Sequence, residues 1–177
     1  FCFYLSSYCW LSPTSQMKPA QKVLIFLPHL TYGGAERQGY LLAEGLHKNG
    51  FEVEVWGFPL HGSEYPLAKD LAAIGIKTAN LPFNMAVFNG RWSQLKAFIS
   101  FTNLVRKNGF HVIIPFTYWC NFLAGITSFF TGVKCFWNQR SVDTHLPVRS
   151  LEKYLPLKKL LFVSTSNPGI EFIENRF

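Results

Sequence analysis

A short apolar run, followed by a glycine turn and an amphipathic helix, constrains the fold of this chain more than any other feature. Residues 23–27 read VLIFL, a continuous apolar run typical of a strand buried on both faces of a parallel sheet. Gly33 and Gly34 then form a turn, and the apolar positions over 35–48 recur with helical spacing. Residues 51–56, FEVEVW, alternate in the manner of a second strand. Strand, helix and strand together predict a βαβ unit with a right-handed crossover.

The same alternation continues along the rest of the chain. Strands are predicted over 76–81, 111–115, 133–137 and 161–164, helices over 65–74, 92–107, 121–130, 151–155 and 168–176, and a loop over 83–90. Strands that alternate with helices indicate an α/β fold with a doubly wound, mostly parallel, Rossmann-like sheet. A length of 177 residues suits one such domain, which we place at residues 21–177.

The first 20 residues are predicted to lie outside the domain as an N-terminal tail. The apolar stretch over 1–16 is too short to span a bilayer and lacks the basic region of a signal peptide. Met17 is therefore expected to be the natural start. The alternative is a short anchor that touches a membrane.

The positive net charge points to anionic ligands. The formal net charge is +7, which suits nucleic acid, anionic lipid or phosphorylated ligands. The sequence contains no helix-turn-helix, zinc-finger or RNP-like pattern, and this argues against nucleic acid. A diphosphate ligand and a membrane surface both remain as partners.

The cysteines do not form a metal-binding or disulfide pattern. Cys2, Cys9, Cys120 and Cys135 include no C-x-x-C pair and lie near no histidine cluster. We therefore expect ordinary reduced thiols, no metal site and no disulfide framework, as suits a cytoplasmic protein.

The loop after the first strand is the first candidate ligand site. Ligands of open α/β sheets bind beyond the carboxyl ends of the strands, and Gly33 and Gly34 tolerate positive φ and allow close backbone approach. The following helix N-terminus favours a phosphate, although any βα turn can use two glycines. The dinucleotide fingerprint G-x-G-x-x-G is absent, as is the P-loop pattern, and Trp56-Gly57-Phe58 stands where an acidic residue would end the second strand.

Five segments, in the same order along the chain, carry a resemblance to a known family. KVLIFLPHLTYGGAER at 22–37, followed by LLAEGLHKNGFEVEV at 41–55, closely resembles the opening of family 4 glycosyltransferases of the GT-B fold. VIIPFTYWCNFLAG at 112–125 and CFWNQRSVD at 135–143 resemble the family's fourth and fifth strands with their loops, and LFVSTSNPGIEFI at 161–173 resembles a later segment. The resemblance covers 22–177 and implies the N-terminal, acceptor-side half of a two-domain enzyme, whose donor domain lies outside this chain.

The resemblance implies a sugar transferase of hexosyl type. Such an enzyme moves a sugar from a nucleotide-diphosphate sugar to a glycan or lipid-linked acceptor with retention of configuration, and no further cofactor or metal is implied. The donor phosphate is expected at Gly33 and Gly34. The expected substrate and acceptor contacts are Thr31, Arg37, Thr117, Tyr118, Asn121, Asn138, Gln139, Arg140 and Asp143.

The residue types fit this assignment, with alternatives at several positions. Strand-end loops open on one edge of a parallel sheet, amides and carboxylates bind sugar hydroxyls, and Arg140 can pair a phosphate bidentately. Loop capping and surface ion pairing are the alternatives for Asn138 and Arg140, and core packing is the alternative for Trp119 and Trp137.

No catalytic residue is identified. Some relatives place a His or Asp after the fourth strand, where this chain has Thr117-Tyr118. His29, His111 and His145 are candidates by residue type alone.

Aromatic and basic residues between 83 and 107 raise a separate membrane hypothesis. The members of this set are Phe83, Met85, Val87, Phe88, Trp92, Arg91, Lys96, Arg106 and Lys107. Their combination suits peripheral contact at the inner face of a membrane. The alternative is that the loop packs on the core or on a second domain.

Three function classes follow. The preferred class is a glycosyltransferase whose present chain is inactive alone. The second is a non-catalytic Rossmann-like ligand-binding or regulatory domain. The third, a nicotinamide-dependent oxidoreductase, is disfavoured by the missing fingerprint.

Overall fold

The computed structural model describes residues 21–60, 62, 64–139 and 160–164. Six strands and four α-helices alternate along this part of the chain, with one short 3-10 helix at Met85–Asn89. The strands are β1 Lys22–Leu27, β2 Glu52–Gly57, β3 Lys77–Asn80, β4 Val112–Pro115, β5 Lys134–Gln139 and β6 Leu160–Ser164. The helices are α1 Gly34–Lys48, α2 Pro66–Ala73, α3 Arg91–Asn108 and α4 Tyr118–Thr131.

The six strands form one sheet in the order β3-β2-β1-β4-β5-β6, and every neighbouring pair is parallel. β1 lies between β2 and β4, with Val23 opposite Val53 on one side and Val112 on the other. The strand order reverses direction between β1 and β4, which is the switch point where doubly wound sheets bind ligands. The predicted Rossmann-like fold is therefore confirmed.

Helices cover both faces of the sheet. One face packs Leu24 and Phe26 under α3 and α4, and the Phe26 ring stacks on Phe101 with centroids 4.8 Å apart. The other face packs Ile25 and Leu27 under α1 and α2. All four of these β1 side chains are fully buried, which explains why β1 is a continuous apolar run.

Helix α1 lies unusually close to the strand that precedes it. A Cβ atom at Gly39 would stand 2.5 Å from Leu27 Cδ2, so only glycine fits this position without a shift. Because α1 is held here against the carboxyl end of β1, its N-terminus is fixed at the edge of the sheet where ligands are expected.

The structure differs from the sequence prediction at three places. Helix α4 begins at Tyr118 rather than at residue 121, and β5 runs on to Gln139 rather than ending at residue 137. The predicted loop over 83–90 contains the 3-10 helix, whose first turn is capped by the Asn84 side chain. The tail over 1–20 and the helices predicted over 151–155 and 168–176 lie outside the described residues.

Candidate functional site

The loop between β1 and α1 is tied to the neighbouring strand β2. Phe58 N donates to Pro28 O at 3.1 Å, and His29 Nδ1 lies 3.2 Å from Phe58 O. Tyr32 at the far end of the loop donates to the Asp70 carboxylate on α2. Three contacts therefore fix the loop over the β2 side of the sheet, and His29 serves as a structural residue there.

Gly33 directly precedes α1, and Gly34 is its first residue. Gly33 is extended, with φ −164°, and neither residue is among the described glycines that have positive φ. A Cβ at Gly33 would collide with the Glu36 carboxylate, whereas no described atom lies within 4 Å of a Cβ at Gly34. The tolerance of glycine for positive φ is therefore not used here, whereas the open space at Gly34 leaves room for a ligand to approach the backbone.

The first turn of α1 has the features of an anion site. No described side chain caps it, and both glycines are exposed. The free N–H groups of a helix start and the positive end of its dipole favour negative charge.

Glu36 is a residue of this edge that the sequence argument missed. Its carboxylate folds back over Gly33, where it occupies the space that a Cβ of that residue would need. Burial raises the pKa of the Cys120 thiol, and the negative charge of Glu36 adds to that rise. A diphosphate bound at Gly33 would therefore require this carboxylate to rotate away.

The turn from β4 into α4 is strained at Thr117. Among the described residues it is the sole non-glycine with positive φ, at φ 73° and ψ 162°. This conformation is essentially restricted to glycine and costs about 1–3 kcal/mol for other residues, and Thr is β-branched. The strained turn aims the start of α4 at the same edge of the sheet as the start of α1.

Two asparagines lock α4 to β5. Asn121 Nδ2 donates to Asn138 O at 2.9 Å, and Asn138 N donates to Asn121 Oδ1 at 3.3 Å. Asn121 is buried, and both polar atoms of its side-chain amide bind the backbone of β5 rather than face solvent. Asn138 is also buried, and no described group hydrogen-bonds its Oδ1.

The other predicted contacts are dispersed. Thr31 is half-buried in the first loop, and Arg37 is exposed on α1. Tyr118 is partly buried, with its ring near those of Trp119 and Phe122. Gln139 ends β5 without a described side chain, and Arg140, Asp143 and His145 lie outside the described residues. Ligand contact at these positions stays a prediction.

His111 and two cavities lie at the opposite edge of the sheet, where the strands begin. Lys22 N donates to His111 Nδ1 at 3.1 Å where β1 and β4 begin. Two cavities with described linings, of about 470 and 280 Å³, open beside Lys77 and beside Lys134, at strand starts. Neither cavity lies at the carboxyl ends of the strands. The candidate site is therefore defined by the N-termini of α1 and α4.

The described thiols are poor nucleophiles. Burial raises the pKa of the Cys135 thiol to about 12, and Cys120 is fully buried as well. Thiolates are the reactive form, so these cysteines serve as core residues. Within the described ranges, no three His, Cys, Asp or Glu side chains group together as metal ligands would.

The loop over 83–90 packs inward, which is one of the two alternatives that the sequence left open for it. Phe83, Met85, Val87 and Phe88 pack on the core under α3 and α4, and Phe88 stacks on Trp119 with centroids 4.2 Å apart. Trp92 at the start of α3 is instead 78% exposed. None of the helices that the structure describes has the length and hydropathy needed to cross a bilayer.

The order of the parallel strands defines a Rossmann-like α/β domain. No family model matches the sequence, and no curated protein matches it either. Solved structures that share the fold include three glycosyltransferase-like proteins. A glycosyltransferase from Rickettsia africae aligns with a TM-score of 0.67 at 15% identity, over 88% of this chain and 39% of that one.

The other two structures agree with the first. Anabaena Alr3699/HepE, solved in complex with UDP and glucose, gives a TM-score of 0.59 at 17% identity, over 86% of this chain and 40% of that one. Acinetobacter baumannii MurG gives 0.55 at 14% identity, over 77% and 40%. The chain thus spans about two fifths of the length of these proteins, and the predicted likeness to half of a GT-B enzyme is confirmed for the fold.

Proposed function

We propose that this chain is the acceptor-side domain of a nucleotide-sugar glycosyltransferase. The whole enzyme moves a hexose from a nucleotide-diphosphate sugar to a glycan or lipid-linked acceptor, with retention of configuration. A second domain supplies most of the donor contacts and the catalytic groups.

One observation carries the proposal. The first turn of α1 is uncapped by described side chains, has open space at Gly34 and stands at the carboxyl edge next to the β1–β4 switch. That arrangement suits the diphosphate of a donor. The fold that presents it is shared with glycosyltransferases, and one of the similar structures holds UDP and glucose.

Nucleotide binding is the first test. We expect UDP and UDP-glucose to shift the amide resonances of Gly33 and Gly34 in the ¹⁵N NMR spectrum of the 177-residue chain, with weak affinity because half of the cleft is missing. Gly34→Val should abolish the shifts, because its side chain fills the space over the helix start. Gly45→Val is the matched control, since a Cβ there also meets nothing within 4 Å but lies at the other end of α1.

Two results would contradict the proposal. One is a UDP response that is equal in both valine variants. The other is saturable binding of NADH at the same amides, which would restore the oxidoreductase class.

Transfer assays test whether the catalytic groups belong to a second domain. The chain alone is expected to be inactive with a panel of UDP- and GDP-sugars, and measurable transfer would refute the assignment of the catalytic groups to a second domain. The parent gene provides a further test: a second Rossmann-like half with a pair of glutamates after residue 177 supports the enzyme. A stop codon there favours the non-catalytic ligand-binding domain.

A further inference from the structure

The net charge of this protein is confined to one stretch of the chain. Residues 71–142 contain seven Lys and Arg and no Asp or Glu, so this segment accounts for the whole net charge of +7. The ten basic and ten acidic residues outside it cancel. All acidic residues that the structure describes therefore lie at or before Asp70.

In the fold, the acidic residues of α1 and α2 and the basic residues of α3 lie on opposite faces of the sheet. The acidic residues belong to α1, β2, α2 and the turn before α2, where Lys48 pairs with Glu44 at 2.8 Å and Lys69 with Glu64 at 3.1 Å. Helix α3, on the other face of the sheet, carries exposed basic residues at Arg91, Lys96, Arg106 and Lys107. No acidic side chain on α3 or α4 can neutralise them.

Exposed apolar side chains lie among these basic residues. Trp92, Leu95 and Ile99 are 78%, 47% and 49% exposed, and their spacing places them along one outward stripe of α3. Phe129 and Phe130, at the end of α4, are also about half exposed.

The end of α4 continues the stripe. Arg106 on α3 donates to Phe130 O at 2.8 Å, and the Phe98 and Phe130 rings are 5.4 Å apart. We call this combined region the α3 surface; it consists of Trp92, Leu95, Ile99, Phe129 and Phe130 with Arg91, Lys96, Arg106 and Lys107.

We propose that the α3 surface docks this protein on an anionic lipid bilayer. An interfacial helix presents bulky apolar side chains to the acyl boundary and Lys or Arg to the headgroups, and anionic lipid attracts juxtamembrane basic residues. Leu95 and Ile99 distinguish this surface from one for nucleic acid, where basic residues accompany polar and stacking side chains.

The α3 surface keeps the members of the sequence-suggested set that lie on α3, namely Trp92, Arg91, Lys96, Arg106 and Lys107. It leaves out the residues of the loop over 83–90, which packs inward. Docking does not depend on the proposed glycosyl transfer. Vesicle binding requires no nucleotide, and nucleotide binding at Gly33 and Gly34 requires no lipid, so one can fail without the other.

The test is co-sedimentation of the 177-residue chain with vesicles. Vesicles of phosphatidylcholine mixed with phosphatidylglycerol should bind the protein, binding should weaken as salt is raised, and vesicles of phosphatidylcholine alone should bind it poorly. The double variant Lys96→Gln, Lys107→Gln should lower the partition coefficient about fivefold per lysine. The double variant Lys48→Gln, Lys69→Gln changes the net charge equally on the acidic side and should leave partitioning unchanged.

A second matched pair tests the apolar contribution. Ile99→Ser should lower partitioning about tenfold, because a buried aliphatic side chain is lost from the interface. Leu41→Ser on α1 removes a side chain of similar exposure, 55%, and should have no effect. Circular dichroism spectra of all variants establish that they are folded.

Four results would overturn the proposal. The first is equal binding to neutral and anionic vesicles. The second is equal loss in the matched variants. The third is a dimer in size-exclusion chromatography that Ile99→Ser dissociates, which assigns the surface to a second copy of the chain. The fourth is an oligonucleotide that binds through Lys96 and Lys107 while the vesicles do not.

Discussion

Replacing Gly39 by Ala should destabilise the protein, although the same change ordinarily stabilises a helix. Alanine in a helix interior is favoured over glycine by about 1 kcal/mol. At Gly39, however, the new methyl group would lie 2.5 Å from Leu27 Cδ2, 3.2 Å from Cδ1 and 3.3 Å from Cγ. Carbon atoms pack favourably at about 3.5–4.0 Å, so all three contacts are too short.

Leu27 cannot move aside cheaply, because it is fully buried between the sheet and α1. Relief requires a shift of α1 or an unfavourable Leu27 rotamer, and such overpacking costs about 1–3 kcal/mol. After the gain in helix propensity is subtracted, we expect the free energy of unfolding to fall by about 1 kcal/mol.

Gly45→Ala provides the control on the same helix. A Cβ at Gly45 meets nothing within 4 Å, so the change should raise the free energy of unfolding by about 0.5–1 kcal/mol. Urea denaturation followed by circular dichroism measures both variants, with the m-value expected to stay constant. A Gly39→Ala protein as stable as Gly45→Ala would show that α1 does not lie as close to β1 as described.

Three further predictions concern the edges and the core. Lys22→Met removes the cationic partner of the buried Glu54 carboxylate, 2.8 Å away, which keeps its hydrogen bond from Trp56 Nε1. The change should lower the free energy of unfolding by about 3 kcal/mol at neutral pH. The hydrogen bond to Glu54, with a smaller one to Glu52, raises the pKa of Lys22 above its usual 10.5, so the contribution persists below that pH and is lost as pH rises through the raised pKa. Thr117→Gly should stabilise the protein by about 1 kcal/mol, since the strain relieved exceeds the added entropy of glycine in the unfolded chain. Because burial raises the pKa of Cys135 to about 12, peptide mapping should find it unmodified by iodoacetamide in the native protein and alkylated in urea.

Each of these predictions has a control. Lys48→Met breaks an exposed ion pair and should change stability by less than about 0.5 kcal/mol, and a loss as large as that of Lys22→Met would contradict the role of burial. Thr117→Ala keeps the strained φ and should bring no gain, so equal stabilisation by Ala and Gly would disprove the strain. Alkylation of Cys135 at equal rates in the native protein and in urea would show that the core around β5 opens freely.

The sheet could be predicted from the sequence because burial leaves a local signature. β1 is buried on both faces and therefore reads as VLIFL. Gly109 and Gly132, the glycines after α3 and α4, adopt a left-handed conformation, which is a local signal that ends a helix. Structural features that depend on residues close together in the sequence could therefore be predicted from the sequence alone.

The candidate site was less predictable because its geometry depends on contacts between distant residues. Nothing local to Thr117 indicates a positive φ, so α4 was predicted to begin too late. The amide of Asn121 on α4 suggested sugar binding, but its partner in the fold is the backbone of Asn138 on β5. The sequence shows aromatic residues over 83–92 but not which way each side chain points. Tertiary packing buries Phe88 in the core and leaves Trp92 exposed.

The reciprocal bonds between Asn121 and Asn138 have a consequence for how this protein opens. Each bond joins the first turn of α4 to the last part of β5, so neither element can detach without breaking both bonds and exposing a buried amide. Native-state hydrogen exchange should therefore find α4 and β5 in one cooperative unit. The Asn138 amide, although close to the end of its strand, should exchange as slowly as the centre of that unit.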